Sequence, residues 1–548
     1  MLCYFLKMKK MASLIRVQDL DHSGIVAGVI DEIGLVELIN QEVGGHPQEI
    51  VSAGVAVKAM IINGLGFVSA PLYLFEKFFV GKATEHLLGE GIEPKHLNDD
   101  RLGRVLDQLW EIGLTPLYVK VALGAALMYG ISRESLHLDS SSFSVQGAYE
   151  STKMGLEEGE GAIQITHGYS RDHRPDLKQF MVDLMCSGDG DVPLYLRVAS
   201  GNESDQGIFA QLIKEFREQW DCESLFVADG ALYSKENLES LSNLRWLSRV
   251  PAKIKEAQQL MEQLSDEAFE PSELEGYRYS GVYSTYAGIK QRWLVVESEG
   301  RKESDIKKLE EKIQETEELA RKQLQRLSQQ EFACETDALA AARKWSKKLI
   351  YHRLDEIEAI ASPYYNKAGR PKKDQVPDGY RYHLQGSLTL NEETIALART
   401  RAGRFILATN VLELESLSNE EILSEYKAQQ STERGFRFLK DPMFFASSVF
   451  LKTPERVAAL AMVMGLCLLV YTLAQRKLRQ ALAKAKQTIP NQLGKPTATP
   501  TMRWVFQCFQ SIHLVVLDEI RQVVNLTLEH HHVIQFLGSS CQKYYLLV

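Results

Sequence analysis

The sequence lacks the cysteine pattern of a zinc ribbon or of a disulfide-rich secreted domain. Its seven cysteines are scattered and odd in number, and no two are spaced as C-x-x-C. It also has no G-x-x-x-x-G-K-[ST] loop for ATP phosphates and no G-x-S-x-G elbow of a serine hydrolase. The opening MLCYFLKMKK places a short apolar run before its lysines, the reverse of a secretory leader. We therefore expect a cytoplasmic protein without an ATP-driven step.

An excess of positive charge is also missing, since the formal net charge is −9 over 548 residues. The whole surface is therefore not suited to polyanions, and any nucleic-acid surface has to be local. Residues 448–548 supply one candidate, because they contain eleven Lys or Arg against four Asp or Glu. A hydrophobic content of 45% and a charged content of 25% are those of an ordinary globular protein, long enough for roughly three or four domains.

Long hydrophobic runs are scarce, with one exception at residues 457–474. This run, VAALAMVMGLCLLVYTLA, is 18 residues long and stands at the lower limit for a membrane-spanning helix. It is short and has no second such run beside it. We favour a buried core helix over a membrane segment.

The pattern of apolar residues divides the chain into regions. Residues 12–130 have helical spacing, with Asn98 or Asp99 as a helix N-cap. From residue 135 the residue pattern changes to short runs typical of β-strands, bounded by Gly, Ser or Pro, with one helix among them. The runs are SLHLDSSSFSVQG, LKQFMVDLMCSG, VPLYLRVASG, SLFVADGALYS, LRWLSRVP and GRFILATN, and the helix is DQGIFAQLIKEFREQW.

These patterns predict an α/β protein in four parts. We expect a helical N-terminal domain over residues 1–130, an α/β core over 131–251 and 401–447, a long insertion over 252–400, and a basic, helical C-terminal region over 448–548. The insertion is predicted to contain an antiparallel helical hairpin, whose second helix covers about residues 335–357. A basic, turn-prone loop, NKAGRPKKD, follows that hairpin.

The stretch YKAQQSTERGFRFLKD reads as a helix with its polar side chains on one stripe. Tyr426, Glu433 and Lys440 are seven residues apart, which is nearly two turns, and Arg437 follows Glu433 by four. The other side carries small and apolar residues such as Gly435. The stripe has two interpretations: a solvated face with a Glu–Arg pair, or one side of a charged site.

Two aspartates lie in or at the end of apolar strands, where burying a charged carboxylate costs free energy. Asp139 is inside the strand LHLDSSS, and Asp229 ends the strand LFVADGA, 90 residues later. Together with Glu433, a further 204 residues along, they could converge on cations that prefer oxygen ligands, such as Mg²⁺. Taken alone, a strand-end aspartate is more often a turn or cap residue.

These motifs resemble a DDE transposase of the bacterial insertion-sequence type. The last acidic helix is similar to the signature Tyr-x2-Arg-x3-Glu-x6-Lys, matched by Tyr426, Glu433 and Lys440, while Gln429 stands in the arginine position. The segments HLDSSSFSVQG, THGYSRDHRPDLKQ, LFVADGALYS, GRFILATN and PTMRWVFQCFQSI also resemble family segments in the same order. The opening LDHSGIVAGVIDEIG resembles the N-terminal domain of one subgroup.

The resemblance implies an RNase H-like catalytic domain in which Asp139, Asp229 and Glu433 are the catalytic residues and hold two Mg²⁺ ions, with Mn²⁺ as a substitute. It implies double-stranded DNA as the partner, both at terminal inverted repeats and as target, and a dimer on paired DNA ends. The N-terminal domain would bind the DNA ends in a bacterial cytoplasm. The implied DNA-contacting residues on the helix are Tyr426, Gln429, Arg437 and Lys440.

Several alternatives stay open from the sequence. The basic loop with Arg370, Lys372 and Lys373 is a DNA-binding candidate, through a minor groove, or a solvated turn. The run HGYSRDHRPD offers Asp172 or Asp176 as a rival metal ligand, although turn capping and substrate contacts fit it better. The protein could also be a metal-dependent nuclease without strand transfer, or a transposase relic that only binds DNA.

Overall fold

The chain folds into two compact units, one formed by Met1–Ser248 with Glu425–Val548 and the other by Arg249–Ser424. The structure is a computed structural model that describes residues 15–45, 48–67, 70–147, 149, 163–220, 223–366, 375–441, 451–517 and 520–547. The first unit contains the predicted site strands, and the second contains most of the predicted insertion.

The first unit begins with one strand followed by helices. These are β1 (Ile15–Asp19), α1 (Ser23–Glu32), α2 (Leu35–Val43), α3 (Ala53–Gly64), α4 (Phe75–Phe79), α5 (Thr84–Leu88), α6 (Asp99–Glu111) and α7 (Leu114–Tyr129). Asn98 is the N-cap of α6, where its side chain accepts a hydrogen bond of 2.9 Å from the Arg101 backbone N–H. The apolar spacing of α6 and α7 buries one side of each, as the sequence predicts.

Five neighbouring strands of a mixed sheet form the centre of the first unit. Its elements are β2 (Ser135–Val145), β3 (Lys178–Ser187), β4 (Pro193–Ser200), α8 (Asp205–Gln219), β5 (Leu225–Ala228), α9 (Lys235–Ser240) and β6 (Trp246–Arg249). The strand order is β4-β3-β2-β5-β6. β2, β3 and β4 are antiparallel, whereas β5 runs parallel to β2, and β6 parallel to β5. All five strands and α8 are confirmed where the sequence predicts them.

The second unit combines an antiparallel sheet with a helical pair and a long β-hairpin. It contains α10 (Lys255–Gln263), β7 (Glu270–Pro271), β8 (Tyr277–Tyr286), β9 (Ile289–Ser298), α11 (Glu299–Ser328), α12 (Glu335–Ser346), β10 (His352–Tyr364), β11 (Gly379–Leu390), α13 (Glu392–Arg401) and β12 (Arg404–Thr409). β12, β9, β8 and β7 lie side by side in that order, and β10 pairs with β11. A small core of Ala342, Leu354 and Leu384 joins α12 to the hairpin.

The predicted second helix of the insertion is wrong beyond Ser346. α12 ends there, and the chain continues as β10 from His352. The physical reason is a period-two burial pattern, in which His352 and Leu354 are buried while Arg353 is exposed. That alternation fits a pleated strand and not a helix.

The stretch predicted as one helix is two helices, α14 (Asn419–Ala428) and α15 (Gln430–Leu439). The turn between them tightens, because Gln429 donates its backbone N–H to the Tyr426 carbonyl at 3.2 Å. Thr432 then donates both its backbone N–H, at 3.2 Å, and its hydroxyl, at 2.9 Å, to the Gln429 carbonyl. The seven-residue stack from Tyr426 to Glu433 is therefore interrupted.

The first unit is completed by α16 (Pro454–Ala485), β13 (Ile489–Pro490), β14 (Pro496–Thr497), α17 (Met502–Cys508), β15 (His513–Leu517), β16 (Ile520–Val524), α18 (Leu528–Leu537) and α19 (Ser539–Leu546). α16 packs against α1, α3, α6, α7 and β4. It is long and apolar enough to cross a membrane, but 89% of its most apolar 18-residue window is buried inside the protein. This burial is that of the core helix predicted from the sequence.

Candidate active site

The two strand aspartates lie beside each other on neighbouring parallel strands. β2 and β5 pair with Leu138 opposite Ala228, so the next residue on each strand is an aspartate, Asp139 and Asp229. Such parallel registry was not readable from the sequence, where the two residues are 90 positions apart. The sheet therefore brings the first two predicted carboxylates together.

The electrostatic environment of Asp139 is set mainly by its burial. Burial raises the pKa of Asp139 to about 7, and the negative charge of Asp229 adds to the rise, while Arg171 opposes it. The side chain of Asp139 is only 16% exposed. Two carboxylates held together in this way repel each other until a cation lies between them, so the donor set fits a divalent ion that prefers oxygen ligands.

Asp229 is oriented by the turn that ends β5. Its Oδ1 accepts a hydrogen bond of 2.8 Å from the Ala231 backbone N–H. Its carbonyl accepts from the Ser248 hydroxyl at 2.7 Å and from the Leu232 N–H at 3.2 Å. These bonds are those of a strand-end turn, so the turn interpretation of Asp229 is confirmed, while its role in a metal site stays a prediction.

The segment around HGYSRDHRPD folds back over β2. The Arg171 Nη1 lies 3.4 Å from Asp139 Oδ1 and donates a hydrogen bond to the Ser140 carbonyl. The Arg171 backbone N–H donates to the Ser142 hydroxyl at 3.1 Å. The guanidinium of Arg171 is thus held beside the first aspartate. From the sequence, this segment was predicted to form a turn with substrate contacts. Arg171 was not predicted to be a site residue.

Lys440 reaches the same loop from the end of α15. Its Nζ lies 2.8 Å from Asp172 Oδ1 and 5.2 Å from the centre of the Phe143 ring, which belongs to β2. Asp176 instead forms a bidentate pair with Arg174, at 2.9 and 2.8 Å. The two rival carboxylates of this loop are therefore each engaged by a cation.

α15 packs against β2 and β3 and leaves its charged side exposed. Gly435 faces the core, where an added Cβ would lie 3.2 Å from Leu468 Cδ2. Glu433 and Arg437 are exposed, as the sequence stripe predicts. Arg434, which the sequence did not single out, forms a bidentate pair with Asp191 at 2.7 Å for both bonds.

The third carboxylate is not gathered with the first two. Within the part of the chain that the structure describes, no group of three or more His, Cys, Asp or Glu side chains could hold a metal ion. Glu433 therefore stays a predicted ligand. Tyr426 and Gln429 are half-buried at the junction of α14 and α15. Arg370, Lys372 and Lys373 lie outside the described residues.

A buried contact that the sequence did not reveal ties α14 to β2. His137, two residues before Asp139, is completely buried, and its Nε2 lies 3.5 Å from Glu425 Oε2. A second buried contact joins β2 to β3, where the Ser140 hydroxyl donates a hydrogen bond to the buried carboxylate of Asp183. Asp183 also accepts from the Arg197 Nε at 2.8 Å. A charged residue inside a strand was the only sequence signal for these pairs.

These features define a mixed α/β protein with an acidic pair on two neighbouring parallel strands, at the end of the segment in which they pair. The family model of the transposase DDE domain matches residues 133–471, and a domain of unknown function (DUF4277) matches residues 15–123. The chain belongs to the transposase DDE domain family, a family of DNA transposition and recombination. The expected resemblance is thereby confirmed at this level, while the Tyr-x2-Arg-x3-Glu-x6-Lys signature stays a prediction.

No curated protein matches the sequence significantly. Among solved structures, the chain is similar to a piggyBac transposase synaptic complex with hairpin DNA, at 9% identity and a TM-score of 0.39. That similarity covers 90% of this chain and 83% of the other.

Proposed function

We propose that this protein is a DDE transposase that cleaves DNA at the ends of an insertion sequence and joins the freed 3′ ends to target DNA. The observation that carries the proposal is the position of Asp139 and Asp229, each of which directly follows the last pair between β2 and β5, Leu138 opposite Ala228. The strand order of the first sheet, three antiparallel strands followed by two parallel ones, supports an RNase H-like core.

Divalent ions are part of this proposal, with Mg²⁺ as the physiological ion and Mn²⁺ as a substitute. Asp139 and Asp229 would hold them, and Glu433 would complete the set from α15. The bound ions would supply Lewis acidity to an in-line displacement at phosphorus. The carboxylates of this chain fix the position of that charge, and burial by the sheet excludes water from the back of the site.

DNA contacts are proposed along α14 and α15. Lys440 lies 5.2 Å from the Phe143 ring of β2, and its charge on this side of the sheet supports a contact with a DNA phosphate. Arg437 is exposed on the same helix, and Tyr426 and Gln429 lie at its start. The basic loop containing Arg370 and the basic C-terminal region would extend the phosphate-binding surface. The partner would be double-stranded DNA, bound by a dimer on paired ends in the bacterial cytoplasm without ATP.

The test uses a plasmid that carries the element with its flanking inverted repeats. Purified protein with Mg²⁺ should nick the ends and transfer them to a second plasmid. Asp139→Asn, Asp229→Asn and Glu433→Gln should each reduce joining by more than about a hundredfold, because losing a metal ligand should cost at least as much as losing one of its supporting partners. Each variant should keep DNA binding in a gel-shift assay.

The matched control is Asp176→Asn, which removes an exposed carboxylate from the adjacent loop. It should join DNA within about twofold of the wild type, as expected for a surface ion pair. Joining by Asp139→Asn or Asp229→Asn at the control rate would refute the assignment. Nicking without joining by the wild type would instead support a nuclease, and DNA binding without cleavage in any metal would support a relic.

A further inference from the structure

Two neighbouring residues of opposite charge contact two different groups of the proposed site. The guanidinium of Arg171 lies 3.4 Å from the Asp139 carboxylate, and the carboxylate of Asp172 lies 2.8 Å from the Lys440 ammonium. One turn of the chain therefore neutralises both a proposed metal ligand and a proposed phosphate contact.

Each of the two contacts supplies a group of the same charge as the ligand that the site would bind. A guanidinium beside a carboxylate provides the positive charge that a divalent cation would provide. A carboxylate beside an ammonium provides the acceptor oxygens that a DNA phosphate would provide. The turn itself is firmly built, because His173 adopts a left-handed conformation with φ of 55° and the Arg174 N–H donates to the Ser170 hydroxyl at 3.0 Å.

Both contacts keep some access to solvent, the Asp172–Lys440 pair more than the Arg171–Asp139 pair. The side chains of Arg171 and Asp139 are 29% and 16% exposed, and those of Lys440 and Asp172 are 26% and 37% exposed. A partly exposed pair such as Asp172–Lys440 shifts an equilibrium by about two- to fivefold, and the more buried Arg171–Asp139 pair by at least about as much. A divalent ion or a DNA phosphate can therefore displace them.

We propose that the Arg171–Asp172 dipeptide is a placeholder that occupies the metal and phosphate positions of the DNA-free protein and releases them when metal and DNA bind. The inference rests on the proposed function, because it takes Asp139 as a metal ligand and Lys440 as a phosphate contact. It assigns to the HGYSRDHRPD segment a role in substrate entry.

The proposal that Arg171 occupies the metal position, called the metal half, is tested with Mn²⁺ alone. The full-length protein is titrated with Mn²⁺, and unbound Mn²⁺ is measured by electron paramagnetic resonance. Arg171→Gln should bind Mn²⁺ more tightly than the wild type, by on the order of fivefold, because one competing cation is removed. Arg174→Gln is the matched control, since Arg174 pairs with Asp176 in the same turn. It should bind as the wild type does.

The phosphate half is tested by the binding of a fluorescent DNA duplex in EDTA, followed by anisotropy. Asp172→Asn should bind about two- to fivefold more tightly than the wild type at low salt. Its salt dependence should steepen by about 0.9 in log K against log salt, because one more phosphate is neutralised. Asp176→Asn should leave binding unchanged, and adding Lys440→Gln to Asp172→Asn should remove the gain.

The outcomes separate the placeholder from the proposed function. If Arg171→Gln binds Mn²⁺ no more tightly than Arg174→Gln while the wild type binds it and Asp139→Asn does not, the metal site stands and the metal half is refuted. If the wild type binds no more Mn²⁺ than Asp139→Asn, the proposed metal site itself fails. A gain in Asp172→Asn that survives Lys440→Gln refutes the phosphate half. Circular dichroism melting of each variant confirms that it is folded.

Discussion

Glycine at position 465 lets α16 approach the central sheet, and its replacement by alanine should destabilise the first unit. An added Cβ would lie 2.2 Å from Leu196 Cδ1 and 3.0 Å from Tyr118 Cε2. Neither neighbour can move easily, since both are completely buried. The Tyr118 hydroxyl is also within 3.3 Å of two backbone carbonyls, those of Pro193 and Gly465.

Two opposing effects decide the size of the change. Alanine is favoured over glycine inside a helix by about 1 kcal/mol. Overpacking a filled core costs roughly 1–3 kcal/mol, and a carbon–carbon approach far below the usual optimum of about 3.5–4.0 Å belongs at the upper end. We therefore expect Gly465→Ala to lower the free energy of unfolding by about 2 kcal/mol.

The matched substitution is Gly124→Ala in α7. This glycine is also inside a helix, but no atom lies within 4 Å of the position of its added Cβ. The helical preference of alanine then acts alone, and we expect a gain of up to about 1 kcal/mol. The same chemical change should thus have opposite signs at the two sites.

Hydrogen exchange followed by mass spectrometry measures both changes locally, which suits a chain of two compact units. Peptides of α16 and β4 should exchange about thirtyfold faster in Gly465→Ala, if they open with the unit, as 2 kcal/mol requires. Peptides of α7 should exchange more slowly in Gly124→Ala. If the peptides of α16 and β4 exchange as slowly in Gly465→Ala as they do in Gly124→Ala, the close approach of α16 to β4 is refuted.

Three further changes test other parts of the first unit. Arg476→Gln removes a guanidinium that is 7% exposed and paired with Asp189, and should cost about 3 kcal/mol in denaturant unfolding, less if Asp189→Asn is already present. Burial lowers the pKa of His22 to about 4, so stability should be full above the unfolded pKa near 6.5 and fall by roughly 3 kcal/mol as the pH drops to about 4. His22→Gln should flatten that pH dependence, and an unchanged slope would contradict the assignment. Glu433→Gln should bind Mn²⁺ without DNA within about twofold of the wild type whereas Asp139→Asn should not, because α15 is not gathered with the acidic pair.

The strands of the central sheet could be predicted because their signals are local. Each is a short apolar or β-branched run ended by Gly, Ser or Pro, and the structure confirms them. Their pairing is not local. The parallel registry that sets Asp139 beside Asp229 depends on which strands become neighbours, and no periodicity in either run encodes that choice.

Two elements were mispredicted because tertiary structure decides them. The charged residues around β10 look helical next to α12, yet Leu354 joins Leu384 of β11 in a buried cluster, and β10 pairs with β11 along its length. At Gln429 the backbone N–H groups of Gln429 and Thr432 bond to carbonyls three residues earlier, a local tightening that helical spacing alone does not reveal. Propensity is a weak guide where a single contact selects the conformation.

The two halves of the proposed site are fixed by different kinds of structure. Asp139 and Asp229 are set by strand pairing, which is rigid, and their mutual repulsion is already present in the chain. Glu433 and Lys440 belong to a helix whose orientation depends on side-chain contacts with β2, β3 and the Asp172 loop. In the proposed function, the acidic pair is formed before DNA binds, while Lys440 at the end of α15 contacts Asp172 until a DNA phosphate replaces that contact. The Asp172–Lys440 contact therefore lies at the position where binding of DNA would be converted into completion of the acidic set.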